Sequence, residues 1–129
     1  RQITCTPYVD GHLLDFLPPL DVCTIFGNAL DNAIEGCMTL DDPAERFISI
    51  KTAREKGFVV LNFRNSCEMR EMPEFGEPQT TKEDVESHGY GLPNMRQAAE
   101  RSGGQMLWRL QDGEFLLTFL FPAGETPDE

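Results

Sequence analysis

Phe26-Gly27-Asn28-Ala29-Leu30-Asp31-Asn32-Ala33-Ile34-Glu35 is the stretch on which the reading of this chain turns. Around it, Val22, Phe26, Leu30, Ala33 and Cys37 recur at three- and four-residue spacing, the period of an amphipathic helix. Pro18 and Pro19 precede it, and Asp21 is the expected N-cap, so the spacing predicts a helix from Asp21 to about Met38. At about 100° per residue, Asn28, Asn32 and Glu35 fall within about 60° of one another, opposite that apolar stripe. Asparagine is a mediocre helix former, and two of them one turn apart ask for a reason. A carboxamide oxygen is a neutral, hard ligand that suits Mg2+ and tolerates phosphate beside it, where a carboxylate would repel the anion. At this level two readings stay open: a ligand patch and a solvated helix face.

Working outward, Arg46 to Ala53 and Phe58 to Arg64 are rich in β-branched and aromatic residues. Arg54-Glu55-Lys56-Gly57 is a turn-like connection that joins them as an antiparallel hairpin. Met106 to Leu110 and Phe115 to Phe121 flank Asp112-Gly113, the strongest hairpin signal in the chain. Ahead of that second hairpin, Leu92, Met95 and Ala99 stand at helical spacing, with Pro93 near the first helical position, and predict about three turns ending at Gly103-Gly104. Ile3 to Val9 reads as a strand that Pro7 confines to an edge or a strand end. From about 66 to 88 the periodicity dissolves into Glu68, Glu71, Glu74, Glu77, Glu83, Asp84 and Glu86 with Pro73, Gly76 and Pro78. A loop of that length in a small domain is either a mobile functional lid or a solvated linker. The order strand, helix, hairpin, lid, helix, hairpin predicts a single α/β (α+β) domain over residues 1–129. Its expected form is a two-layer sandwich, with a mixed, mainly antiparallel sheet and helices on one face.

At 129 residues the chain suits one core, and roughly two-thirds of its extended surface can be buried without metal or disulfide help. With 11 Lys and Arg against 22 Asp and Glu the net charge is −11, which excludes nucleic acid and anionic membrane surfaces as expected partners. The longest uncharged apolar runs, such as Phe115 to Phe121, fall far short of a membrane span. No signal-peptide pattern opens the chain, and Arg1 is expected to be a boundary within a longer protein. Cys5, Cys23, Cys37 and Cys67 form no CxxC pair, so free buried thiols in a reducing compartment are expected rather than zinc or disulfides.

Gly89-Tyr90-Gly91 opens the second helix, where glycines let the backbone approach a ligand and unpaired N–H groups favour an anion. Taken alone it is equally a turn. There is no third glycine and no GKS or GKT, which disfavours the dinucleotide-binding and P-loop readings. In combination the motifs are specific. Phe26 to Glu35 resembles the N box of histidine-kinase ATP-binding domains, and His88-Gly-Tyr-Gly-Leu-Pro-Asn-Met-Arg96 resembles their second glycine box. The chain is similar to the GHKL (Bergerat-fold) superfamily over nearly its whole length, most of all to the sensor kinases of peptide quorum sensing.

That resemblance implies the catalytic, ATP-binding domain of a two-component sensor kinase, with ATP and Mg2+ as cofactors. Asn32 matches the asparagine that ligates Mg2+, and Asn28 the one upstream on the same face; together they are the catalytic candidates. Gly89, Gly91 and Leu92 match the backbone that cradles phosphate, and His88 either donates to phosphate or caps the loop. Thr81 and Lys82 match the lid, where Lys82 either reaches the triphosphate or stays in solvent. Asn65, in Asn65-Ser66-Cys67-Glu68, stands where most relatives have the Asp of DxGxG that accepts the adenine amino proton; its amide offers both an acceptor and a donor. Glu35 stands where many sensor kinases carry Lys. Gyrase-like relatives have a Glu at the position of Asn28, and an amide cannot serve as the general base that activates water. The implied reaction is phosphoryl transfer to a histidine on a separate dimerisation domain upstream, then to a response regulator. The implied setting is the cytoplasmic part of a membrane-bound, homodimeric bacterial receptor. A nucleotide-binding or interaction module without kinase activity and an anti-sigma-type serine kinase are the alternatives.

Overall fold

The computed structural model describes residues 2–68 and 92–123. The first hairpin consists of β2 (Phe47–Glu55) and β3 (Phe58–Ser66), and the second of β4 (Gln105–Gln111) and β5 (Glu114–Pro122). Each closes over two residues. Lys56 and Gly57 have φ of 47° and 85°, and Asp112 and Gly113 have φ of 55° and 77°, so both central positions of each turn are left-handed, as a type I′ turn requires. The first connection is therefore shorter than the four residues expected, because Arg54 and Glu55 pair with Val59 and Phe58.

The hairpins join through β3 and β5, which pair antiparallel, with Asn65 opposite Phe115 and Phe58 opposite Pro122. β1 (Thr4–Tyr8) lies parallel to β2 at the edge that its proline permits, giving the order β1-β2-β3-β5-β4. The sheet is thus mixed and mainly antiparallel. Alternation puts Ile48, Ile50, Val59, Leu61, Phe63, Leu117, Phe119, Phe121, Met106 and Trp108 on one buried face. On that face lie α1 (Pro19–Met38) and α2 (Leu92–Arg101), which share one core with it. Phe63 anchors the layers, edge-on to Phe26 at 5.2 Å and to Phe119 at 6.1 Å.

α1 begins two residues earlier than expected. Pro18 is its cap and Pro19 takes the first helical position, so Asp21 is a buried first-turn residue and not the N-cap. The buried stripe is also rotated, running through Ile25, Ala29, Ala33 and Cys37 with Val22, Phe26 and Leu30 at its margin. α2 ends as the two glycines predict: the Gly104 N–H reaches the Ala99 carbonyl at 2.9 Å, and the Gly103 N–H, at φ 76°, reaches Glu100 at 3.0 Å. This is a Schellman motif. A Cβ on Gly104 would stand 2.5 Å from the Phe121 ring, so the chain leaves the helix pressed against β5.

Two expectations need correction. Ser66 belongs to β3, the Cys67 N–H bonds to the Gly113 carbonyl at 2.9 Å, and the Glu68 N–H bonds to Thr39 Oγ1 at 2.8 Å, so the irregular segment does not begin at 66. Most of the expected lid lies outside the described residues. Of the four cysteines, none of them in a disulfide, only Cys37 and Cys67 are buried; Cys5 is on an edge strand and Cys23 on the outer side of α1. No helix among the described residues is long and apolar enough to cross a membrane.

Candidate functional site

α1 directs three polar residues along one flank. Asp21, Asn28 and Asn32 are seven and four residues apart and fall within about 40° in helical projection. Asn28 is half-buried, and its Nδ2 donates to the Thr24 carbonyl one turn back at 2.9 Å, so Oδ1 is the atom it offers outward. Asn32 is recessed, 9% exposed, and no described residue hydrogen-bonds its carboxamide. Its polar atoms keep contact with solvent, since no fully enclosed side-chain polar atom among the described residues lacks a partner. Asn32 is therefore largely covered, with a carboxamide that still meets solvent. Glu35 does not share that cover, being exposed where the helix turns away.

One turn beyond Asn32, Gly36 lets the helix close on the end of β3. A Cβ there would collide with Asn65 Nδ2. Asn65 is 2% exposed on the helix-facing side of the sheet, and one of its Nδ2 protons goes to the Ser66 carbonyl at 2.9 Å. Oδ1 and the second amide proton are left, the acceptor and donor pair that the sequence suggests. Below it, Ser66 Oγ accepts the Phe47 N–H at 2.9 Å, and the Cys37 thiol donates to the Phe47 carbonyl at 3.3 Å. Thr39 Oγ1 donates to the Gly36 carbonyl at 2.6 Å. The first two fasten the start of β2 to the end of β3, which carries Asn65, and to the end of α1.

The second helix meets the flank at its opposite end. Arg101, in the last turn of α2, donates through Nη2 at 2.6 Å and Nε at 3.2 Å to the same Asp21 oxygen. The Asp21 side chain is 5% exposed and that of Arg101 54%. The hydrogen bond to Asp21, with its charge, holds the guanidinium above the ordinary arginine range. Both charges also suit the helix dipoles, an acid in a first turn and a base in a last one. Leu92 opens α2 with its side chain fully buried, so only its backbone can serve a ligand. Thr81, Lys82, His88, Gly89 and Gly91 lie outside the described residues. The structure thus brings Asn28 and Asn32 to one flank and sets Asn65 beside Gly36, within a turn of Asn32.

Two features escape the sequence reading. Gly36 carried a signal, because a glycine inside a strong helix costs about 1 kcal/mol and asks for a close neighbour. The Asp21–Arg101 pair joins residues 80 apart, and no local pattern announces it. His12 is not part of the site; it is exposed beside Asp15 at 3.5 Å.

The same architecture recurs in solved structures. The catalytic domain of the histidine kinase ThkA superposes with a TM-score of 0.68 at 19% identity, covering 94% of this chain and 78% of that one. The Acinetobacter baumannii histidine kinase AdeS gives 0.61 at 13% identity, over 95% of this chain and 56% of its own. The histidine kinase domain of the Erythrobacter litoralis EL346 blue-light-activated kinase gives 0.63 at 12% identity, over 94% and 55%. At such identities the likeness is one of fold. No curated protein matches the chain. Residues 17–122, from the residue before the Pro18 cap to the last residue of β5, match the GHKL domain family, and the chain belongs to that family.

Proposed function

We propose that this domain binds ATP with Mg2+ and positions the γ-phosphoryl group for transfer to a histidine on a separate dimerisation domain. The observation that carries this reading is Asn32, a recessed carboxamide with no partner among the described residues, beside the outward oxygen of Asn28. Two neutral oxygen donors on one flank fit a hard cation that is shared with phosphate oxygens. The metal, when bound, would neutralise charge on the phosphates and hold them in line for displacement. Asn32 would hold the cation and Asn28 would orient what surrounds it. Asn65, fixed against Gly36, would present its oxygen to an amino group on the base. The glycine mouth His88-Gly-Tyr-Gly91, which runs directly into Leu92, would give backbone N–H groups to the phosphates, and Thr81 and Lys82 would approach from the lid.

Transfer would break the bond from the γ-phosphorus to its bridging oxygen, leave ADP, and form a phosphorus–nitrogen bond on the acceptor imidazole, which loses its proton to solvent. Positioning and electrostatics suffice for such a step. Asn28 has no capacity to take a proton from water, which favours transfer over hydrolysis. The wider reading keeps a homodimeric, membrane-bound receptor of the peptide-sensing kind, with the acceptor histidine upstream and a response regulator downstream.

Calorimetry tests the binding. A non-hydrolysable ATP analogue is expected to bind more tightly with Mg2+ than without it, and Asn32→Ala to weaken the metal form by about 1–3 kcal/mol. With the cognate dimerisation domain and radiolabelled ATP, an acid-labile, base-stable product is expected. No magnesium-dependent binding at millimolar nucleotide would leave an interaction module, and an acid-stable, base-labile product would mean a serine kinase.

A further inference from the structure

We propose that Asp21 and Arg101 are positioning residues for the phosphate end of the nucleotide site, setting how far α2 is advanced along α1 and so where its N-terminus stands relative to Asn28 and Asn32. This rests on the ATP-binding reading above. Three observations carry it.

The first is the shared flank. Asp21 lies on the ridge that bears Asn28 and Asn32, so the helix that grips Asp21 runs along the side of α1 from which the asparagines face the site. The second is axial arithmetic. The pair joins the start of α1 to the end of α2, and the two helices pack side by side in one core, so they run antiparallel. From Asp21, Asn28 is about 10 Å along α1 and Asn32 about 16 Å; from Arg101, Leu92 is about 14 Å back along α2. For helices paired in that sense the N-terminus of α2 would come level with the two asparagines, and a slip of one helix turn would move it about 5 Å along α1.

The third is the nature of the contact. α1 gives Ala29 and Ala33 to the shared core beside Ile25 and Cys37, and α2 gives Ala98 and Ala99 beside Leu92 and Met95, and the alanines among them offer little resistance to sliding. An aspartate buried to this degree is better explained by the arrangement it specifies than by net stabilisation, since apolar residues would fill the same space at less desolvation cost. The Schellman motif presses the chain after α2 against β5, and Asp21 ties the last turn to α1. The proposed base end of the site is built differently, from Asn65 on β3 against Gly36 on α1.

The test separates the two ends of the ligand. In Arg101→Ala, calorimetry is expected to show about tenfold weaker binding of the Mg2+-loaded ATP analogue, with adenosine affinity by ligand-observed NMR within about twofold of wild type. Arg101→Lys, which keeps a cation within reach of the same oxygen, is expected to restore most of the loss. Unchanged analogue binding in Arg101→Ala, or an equal loss for both ligands, would overturn the proposal. If the unaltered domain binds neither ligand, the ATP-binding reading fails, and positioning is decided by amide exchange. Arg101→Ala should then speed exchange at Arg96 to Ala99 about tenfold without change at Leu117 to Phe119, and identical rates at both places would sink it.

Discussion

Gly27 and Gly36 are both interior to α1, yet they ask different things of their surroundings. A Cβ at Gly27 would meet nothing within 4 Å, so Gly27→Ala should stabilise the domain by about 0.5–1 kcal/mol through helix propensity alone. At Gly36 the same methyl would run into the Asn65 amide and displace it from the Ser66 carbonyl. Leaving that buried amide unpaired costs about 1–3 kcal/mol, more than the gain in propensity, so Gly36→Ala should lower stability by up to about 2 kcal/mol and bind adenine nucleotide more weakly. Denaturation midpoints and calorimetry on both variants check the pair. A Gly36→Ala domain with full nucleotide affinity would show that Asn65 does not contact the base. Asn28 and Asn32 were legible in the sequence as poor helix formers on one face, but their different depths were not. Depth depends on which of two overlapping apolar stripes, Val22-Phe26-Leu30 or Ile25-Ala29-Ala33, faces the sheet, and α1 is apolar enough on both to leave that rotation open.

Among the elements, the hairpins were the most legible, because turn chemistry is local, although the first turn takes only Lys56 and Gly57 of the four residues expected. Asp-Gly and Lys-Gly supply two left-handed positions in sequence, and both hairpins follow. The end of α2 was equally plain in Gly103-Gly104, though the two glycines do separate jobs. Gly103 supplies a positive φ, and Gly103→Ala should cost about 1 kcal/mol. Gly104 supplies space: a methyl there would press on the Phe121 ring at 2.5 Å and on the Leu120 carbonyl at 2.8 Å, and its replacement by alanine should cost about 3 kcal/mol. Urea titrations of the two variants test the ranking, and a smaller loss at Gly104 would contradict the packing described. The start of α1 was less legible, because Asp21 has a capping residue's chemistry while Pro18 and Pro19 have the conformation. The partner that claims Asp21 lies 80 residues away, beyond the reach of any window read along the chain.

For the molecule as a whole, the sheet order places the join between the hairpins at its centre, with β3 held by β2 on one side and β5 on the other. The hairpins close over two residues each, whereas Asn62 and Thr118, bonded at 2.7 Å across the join, are 56 residues apart. Most of the aromatic core, including the Phe63 and Phe119 contact, forms only after that closure. Loop-closure entropy is therefore spent before the core is gained, and the join is expected to limit the rate of folding. In stopped-flow chevrons, Phe119→Leu should slow folding, while Arg101→Ala, acting on a contact between helices made late, should chiefly hasten unfolding. The reverse assignment would place the helices first. A chain that emerges from the ribosome from its N-terminal side onward must wait for β5, the last of the described strands, before β3 finds its second partner. Until then one edge of the first hairpin stays open to any passing strand, the interval in which such a domain is most exposed to misassembly.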